Sequence, residues 1–314
     1  QRQMCIRDRG DGMSFTADVK TELAAIRPQR GCCLAAQCYG MLEFAHAFCG
    51  ADISLQTEHA AVAATYSELV AACCSVAPPA VVESKRRGAF YTVSVREPWE
   101  RRRVLERYGH AVGEPSVRLN RANLDCDGCA PALLRGAFLV CGAVSNPESD
   151  YHLEFSMPYY NLSRDLLALL RELEFSAKYV CRKGTHVIYL KESEQIADCL
   201  TLMGAQSASL EMLGVKVLKS IRNDVNRAAN CETANIGKTV AAAMAQVQAV
   251  RRLSEAGVLD TLPESLQKLA ALRVENPDLS LRELGALCDP PLTRSGVNHR
   301  LQRLLDAAAA TDKG

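Results

Sequence analysis

The alternation of apolar and polar positions writes one order of elements twice along the chain. Residues 35–48, centred on Gly40, read as a helix, and residues 52–57 alternate as a strand. A helix over about 59–74, strands at 81–84 and 90–96, and a helix ending near Gly109 complete the first set. The second set opens with a helix over 131–144 around Gly136 and a strand at 151–157. A helix over 161–173, strands at 177–182 and 185–191, and a helix ending near Gly204 follow. Period-two alternation gives each sheet one buried face. Arg87-Gly88 and Lys183-Gly184 stand at matching hairpin turns, where backbone with positive φ is needed. The pairs Gly40/Gly136, Gly88/Gly184 and Gly109/Gly204 keep one offset of about 96 residues. Glycine inside a helix costs about 1 kcal/mol against alanine, so the matched mid-helix glycines predict two helices crossing closely at the centre.

The flanks read differently. Residues 1–12 are polar and arginine-rich and are set aside as a non-native or disordered extension. Ser14 then offers an N-cap to an amphipathic helix ending near Ile26. Residues 213–254 carry a net charge of +5, and 239–253 are alanine-rich and strongly helical. Beyond them, Thr261 before Pro263 starts a helix with Leu262, Leu266, Leu269 and Ala270 on one face. Ser280 and Glu283 form a capping box for a short helix with Leu281, Leu284 and Leu287 inward. Thr293 caps a third helix that buries Val297, Leu301, Leu304 and Leu305. The expected organisation is therefore α+β: two pseudo-symmetric halves at 13–120 and 121–222, a basic helical connector at 223–260, and an all-α helix-turn-helix domain at 261–310.

Composition narrows the class. The 314 residues are 48% hydrophobic and 23% charged with a net charge of +1, as in an ordinary globular protein without a global field. No apolar run reaches the roughly 18 residues of a membrane helix. The 14 cysteines include adjacent pairs and lone residues in apolar helices, and are expected to be reduced and mostly buried. A cytoplasmic protein without cofactor is expected.

Subtracting the buried stripe of the third helix leaves Arg294, Ser295, Asn298, His299, Gln302 and Arg303 outward, flanked by Arg300. Arginine reads guanine and Asn or Gln reads adenine in the major groove, while Ser, Thr and helix-start amides hold phosphates. This is the chemistry of a recognition helix, with the helix that Ser280 opens as its positioning partner. A solvated polar helix is the alternative, since residues 263–310 balance six basic against six acidic side chains. Lys216, Lys219, Arg227 and Lys238 add candidate phosphate contacts from the basic segment 213–254. Cys126-Asp127-Gly128-Cys129 has the spacing of half a zinc site, which Cys32-Cys33 could complete through the pseudo-symmetry. A helix-entry loop without metal is the preferred reading. Arg101-Arg102-Arg103 with Arg107 reads equally as a solvated face, and Arg86-Arg87 beside the first hairpin turn is a better backbone contact. His46 and His152 read as structural.

The segment Asn226-Arg227-Ala228-Ala229-Asn230-Cys231-Glu232-Thr233-Ala234-Asn235, followed by Lys238, resembles the N-R-x-x-N-C-E-x-A-N-x-x-K signature of the WhiA family of sporulation regulators. Leu134-Arg135-Gly136-Ala137-Phe138-Leu139 and Thr293-Arg294-Ser295-Gly296-Val297-Asn298-His299-Arg300-Leu301 resemble that family's second core helix and recognition helix. Met13-Ser14-Phe15 and Cys32-Cys33 fit its start, so the resemblance runs from 13 to about 310. The first half departs most, with His46 where the family has glycine. The resemblance implies a body like that of the LAGLIDADG homing endonucleases, in which each core helix ends in a metal-binding acid. Matching Gly40 to Gly136 puts Ala45 and Cys141 at those positions, and neither is a hard oxygen ligand. The implied function is sequence-specific binding of double-stranded DNA, without nuclease activity, in sporulation or cell division. A protein co-regulator is a second class of partner. An active LAGLIDADG-type endonuclease is the enzymatic alternative, and a protein-interaction role in cell division is a third. Asn226, Asn230 and Asn235, with Arg227, Cys231 and Glu232, are expected to make a structural joint, because side-chain amides favour caps and turns.

Overall fold

Ser14 caps the first helix as its sequence predicts, its hydroxyl accepting from the Ala17 amide. The structure, a computed structural model, describes residues 14–77, 79–84, 90–113 and 118–311. The extension at 1–12, Met13, the Arg86-Arg87 pair and the Arg87-Gly88 turn lie outside the described residues. Contacts divide the chain into one unit ending at Lys219 and a second beginning at Ser220.

The first unit holds α1 (Phe15–Ala24) and then one pattern twice. Its first copy is α2 (Gly31–Glu43), β1 (Ala47–Phe48), β2 (Ile53–Thr57), α3 (Ala60–Cys74), β3 (Ala80–Ser84), β4 (Phe90–Ser94) and α4 (Pro98–Arg107). The second is α5 (Cys129–Cys141), β5 (Gly142–Val144), β6 (Leu153–Met157), α6 (Tyr160–Glu172), β7 (Lys178–Arg182), β8 (Thr185–Leu190) and α7 (Ser193–Met203). The copies form antiparallel sheets of matching order, β1-β2-β4-β3 and β5-β6-β8-β7. Lys183 and Gly184 both take positive φ in the two-residue turn joining β7 to β8, the conformation such hairpins require.

The strands β1 and β5 replace the ends of the two expected glycine-centred helices. Gly142 turns extended after α5 and pairs with Phe155, while Ala47 and Phe48 pair with Ser54 and Ile53. Sheet pairing takes residues whose local pattern continues the helix.

The two glycines sit where α2 and α5 cross. A Cβ on Gly40 would lie 2.3 Å from the Leu133 carbonyl oxygen, and one on Gly136 would lie 2.2 Å from that of Gln37. Around the crossing, Leu133, Leu134, Phe138, Met41 and Leu42 are buried in one core shared by both halves. Arg135 is buried there too, donating to Gln37 Oε1 and the Met203 carbonyl at 3.1 and 2.8 Å. Arg101 likewise is structural, donating to the carbonyls of Gly50 and Val95, whereas Arg102 and Arg103 are exposed.

The helix α8 (Gln206–Glu255) runs from the first unit into the second without a break. Asn226, Asn230 and Asn235, expected at a structural joint, lie inside this helix. Asn226, Asn230 and Asn235 cost a helix only tenths of a kcal/mol each against alanine, and exposed amides need not compete for its backbone. The second unit continues with α9 (Glu264–Glu275), α10 (Leu281–Ala286) and α11 (Arg294–Thr311). No helix among the described residues is long and apolar enough to cross a membrane.

Candidate nucleic-acid interface

The second unit is built around Leu266, Leu269, Leu284, Val297, Leu301 and Leu304, with Val250 and Leu253 from the end of α8. Pro263, not Thr261, occupies the N-cap of α9; Thr261 ends a short 3₁₀ turn and its hydroxyl donates to the Val258 carbonyl. Ser280 and Glu283 make the reciprocal capping box at 3.3 and 2.9 Å, so the Ser280 hydroxyl already accepts a backbone amide. Gly285 lets α10 approach the loop before α11, since a Cβ there would stand 2.4 Å from the Leu292 oxygen. Thr293 Oγ1 accepts from the Gly296 amide at 3.2 Å and caps α11. Leu287, expected inward, is 52% exposed because α10 stops one residue earlier. Ala308 rather than Leu305 completes the fully buried stripe of α11.

That stripe leaves Arg294, Ser295, Asn298, His299, Gln302 and Arg303 exposed on α11. Gln302 donates to Asp306 at 3.0 Å and so is partly engaged within the helix. Arg300 is half-buried and lines a separate hollow with Leu269 and Leu287. A cleft of about 400 Å³ is lined by Arg294 and Asn298 of α11, Ser280 at the N-cap of α10, Arg282 within α10, and Lys238 of α8. Its lining includes four cationic side chains and no acidic one. The fourth is Arg273, which is buried and donates to Gln246 Oε1 at 2.9 Å and the Leu279 carbonyl at 2.8 Å. Desolvation lowers the Arg273 pKa, yet a guanidinium stays charged at any physiological pH. Arg273 ties the α9–α10 loop to α8. Arg273 and Arg282 were missed in the sequence, where neither belongs to a motif.

Residues 221–240 of α8 are exposed throughout. By helical period, Arg227 and Asn230 share the face of Lys238, about three and two turns before it. Val225, Ile236 and Val240 occupy the opposite face, each more than half exposed. Asn226 flanks the cationic face, Glu232 falls on the apolar side, and the Asn235 amide donates to Cys231 Sγ at 3.7 Å. Lys216 and Lys219 are placed differently. Lys216 pairs with Glu194 at 2.6 Å; Lys219 donates to the Pro147 carbonyl at 2.7 Å and lies over the Tyr151 ring. Both ammonium groups hold the start of α8 to the first unit.

At the helix crossing, Ala45 lies just past the end of α2 and Cys141 is the last residue of α5. Desolvation pushes the Cys141 thiol up to about 12 against the pull of Lys20, so it is a neutral thiol at physiological pH. Glu43 is buried, with its carboxylate 3.6 Å from His110 Nε2, which also meets the Tyr39 hydroxyl at 3.0 Å. His46 is exposed, and His152 contacts Glu154 at 2.9 Å while stacking on Tyr189. Among the described residues, the cluster of metal-capable donors that does form lies at the other end of these helices, where Cys126 and Cys129 meet Cys32 and Cys33. The preferred loop reading did not anticipate that convergence.

Comparison with known proteins places these features in a family. The WhiA LAGLIDADG-like domain matches residues 130–222, and the WhiA C-terminal HTH domain matches residues 225–308. The chain is 39% identical to the probable cell division protein WhiA of Heliobacterium modesticaldum, over 95% of this chain and 97% of that one. It is 35% identical to the protein of the same name from Alkaliphilus metalliredigens, over 96% and 99% of the two chains. The crystal structure of full-length DUF199/WhiA from Thermatoga maritima superposes with a TM-score of 0.58 at 22% identity, covering 95% of this chain and 99% of that one. That likeness shows the fold, a mixed α/β LAGLIDADG-like domain followed by a long helical region.

Proposed function

The chain belongs to the WhiA family, and from that premise we propose that it is a sequence-specific binder of double-stranded DNA that regulates transcription in cell division and sporulation. The observation that carries this reading is the exposed face of α11, which holds no acidic side chain from Arg294 to Leu305 and opens on a cationic cleft. Asn298 and Arg303 offer base-reading chemistry, while Ser295, Arg294, Arg282 and Lys238 offer charge and hydrogen bonds to phosphates. Arg227 and Asn230 extend the cationic side along α8. His299 and Arg300 flank the reading face, and Ser280 and Thr293 hold the helix starts in place. Such a protein acts at the nucleoid in the cytoplasm. The exposed apolar side of α8 favours a protein co-regulator as a second partner.

The two kinds of lysine and arginine separate in a salt titration. Each phosphate contact contributes a slope of about −0.9 in log affinity against log salt. Arg227→Ala is expected to flatten the slope by about one such unit, while Lys216→Ala leaves it unchanged because Glu194 already neutralises that charge. Fluorescence anisotropy on duplex DNA at several salt concentrations reads both; equal slopes for all three proteins would remove α8 from the interface.

We further propose that the first unit binds without cutting. Ala45 and the neutral Cys141 stand where hydrolysis would need two carboxylates to hold a divalent ion and its water. Supercoiled plasmid incubated with magnesium or manganese is expected to remain intact at every ionic strength. Chelator-sensitive nicking that copurifies with the protein would establish the nuclease alternative.

A further inference from the structure

The cysteines at the starts of α2 and α5 form a compact set that DNA recognition leaves unused. Cys32 and Cys33 stand in the first turn of α2, Cys126 in the turn before α5, and Cys129 at its first position. Cys126 Sγ lies 3.5 Å from Cys33 Sγ and 3.6 Å from those of Cys32 and Cys129, and Cys33 and Cys129 are 4.0 Å apart. All four sulfurs lie within 4.8 Å of one another.

We propose that Cys32, Cys33, Cys126 and Cys129 bind one zinc ion in a closed structural site that fastens the starts of the two crossing helices. Four thiolates about 2.3 Å from a tetrahedral zinc stand about 3.8 Å from one another, inside the 3.5–4.0 Å range of the four separations above. Two disulfides would instead sort the sulfurs into two pairs, whereas Cys126 here has three near-equal neighbours. A polynuclear iron–sulfur cluster sets inorganic sulfide between its cysteines and spreads them farther than a single ion does. Four soft thiolates in tetrahedral reach select zinc among the divalent ions that lack redox chemistry, and four protein ligands leave no open position for catalysis.

The surroundings fit a filled site. A Cβ on Gly128 would stand 3.0 Å from Cys33 Sγ and 3.8 Å from Cys126 Sγ, so glycine leaves the room the sulfurs occupy. The Cys129 amide donates to the Cys126 carbonyl at 2.8 Å and closes the turn between the two ligands. Arg30 lies within electrostatic reach of Cys126, Cys33 and Cys32, where it would offset the net negative charge of a zinc tetrathiolate. The two ligand pairs come from separate halves, with Cys33 and Cys126 separated by 93 positions. An ion held between them joins the halves at one end of the crossing while Gly40 and Gly136 pack at its middle.

The test is metal analysis of the full chain, purified in reductant without chelator. One zinc per chain is expected by mass spectrometry of the metal. Apo-protein refilled with cobalt should show the intense thiolate charge-transfer absorption of a tetrahedral tetrathiolate site. The Cys126→Ser/Cys129→Ser variant should lose the zinc, while Cys181→Ser and Cys231→Ser, both at exposed cysteines, should keep it. If the double variant does not fold, the zinc content and cobalt spectrum of the unaltered protein decide the matter alone. Iron in place of zinc, a disulfide among the four, or four thiols that alkylate freely in metal-free native protein would each overturn the assignment.

Discussion

Gly136→Val is expected to unfold the first unit at a temperature far below that of the unaltered chain. The added Cβ alone would lie 2.2 Å from the Gln37 carbonyl oxygen and 2.9 Å from the Met41 amide nitrogen, and both are backbone atoms of a packed helix. Neither can swing aside, so α2 and α5 must separate. That separation opens the core around Leu133 and Phe138 and breaks the buried bond from Arg135 to Gln37. Overpacking of a core costs about 1–3 kcal/mol where side chains can yield; with backbone on the far side, about 3 kcal/mol or more is expected. Gly214→Ala is the matched control. Gly214 also lies in a helix, with nothing within 4 Å of its would-be Cβ, so alanine should stabilise by up to about 1 kcal/mol. Thermal denaturation followed by circular dichroism reads both. A Gly136→Val protein as stable as the parent would show that the helices do not cross at these glycines.

The second large effect is on DNA. Asn298→Ala and Arg303→Ala each remove an exposed side chain able to make paired hydrogen bonds to a base edge, with loss of about 1–3 kcal/mol apiece on a specific site. Together they should cost about 2–6 kcal/mol, while binding to unrelated duplex changes little. Neither side chain belongs to the buried stripe of Val297, Leu301 and Leu304, so the melting temperature of the second unit should hold. Loss of specific binding with an intact fold separates recognition from stability. Equal weakening on specific and unrelated DNA would instead make both residues phosphate contacts.

What the sequence disclosed and what it hid follow from the range of the forces involved. The duplicated halves were legible because half-buried strands and amphipathic helices leave a period over five residues or more. The strands β1 and β5 span two and three residues, too short for any period, and only their pairing partners reveal them. The recognition face of α11 was legible because subtracting a buried stripe is a local operation. Leu287 was misjudged because the end of α10 cuts its stripe short. The burial of Arg135 and Arg273 was not legible, since Gln37 and Met203, which receive the first, and Gln246, which receives the second, come from remote segments. The four cysteines show the same limit most sharply: each pair is visible in the sequence, but their meeting depends on the crossing of α2 and α5.

The most direct test of the central claim is selection of the full chain on a pool of randomised duplex DNA, followed by sequencing of what it retains. One enriched motif is expected, bound by the unaltered protein, released as salt rises, and not enriched by the Asn298→Ala/Arg303→Ala protein. A pool that stays unenriched, or a motif that the double variant selects equally well, would contradict it.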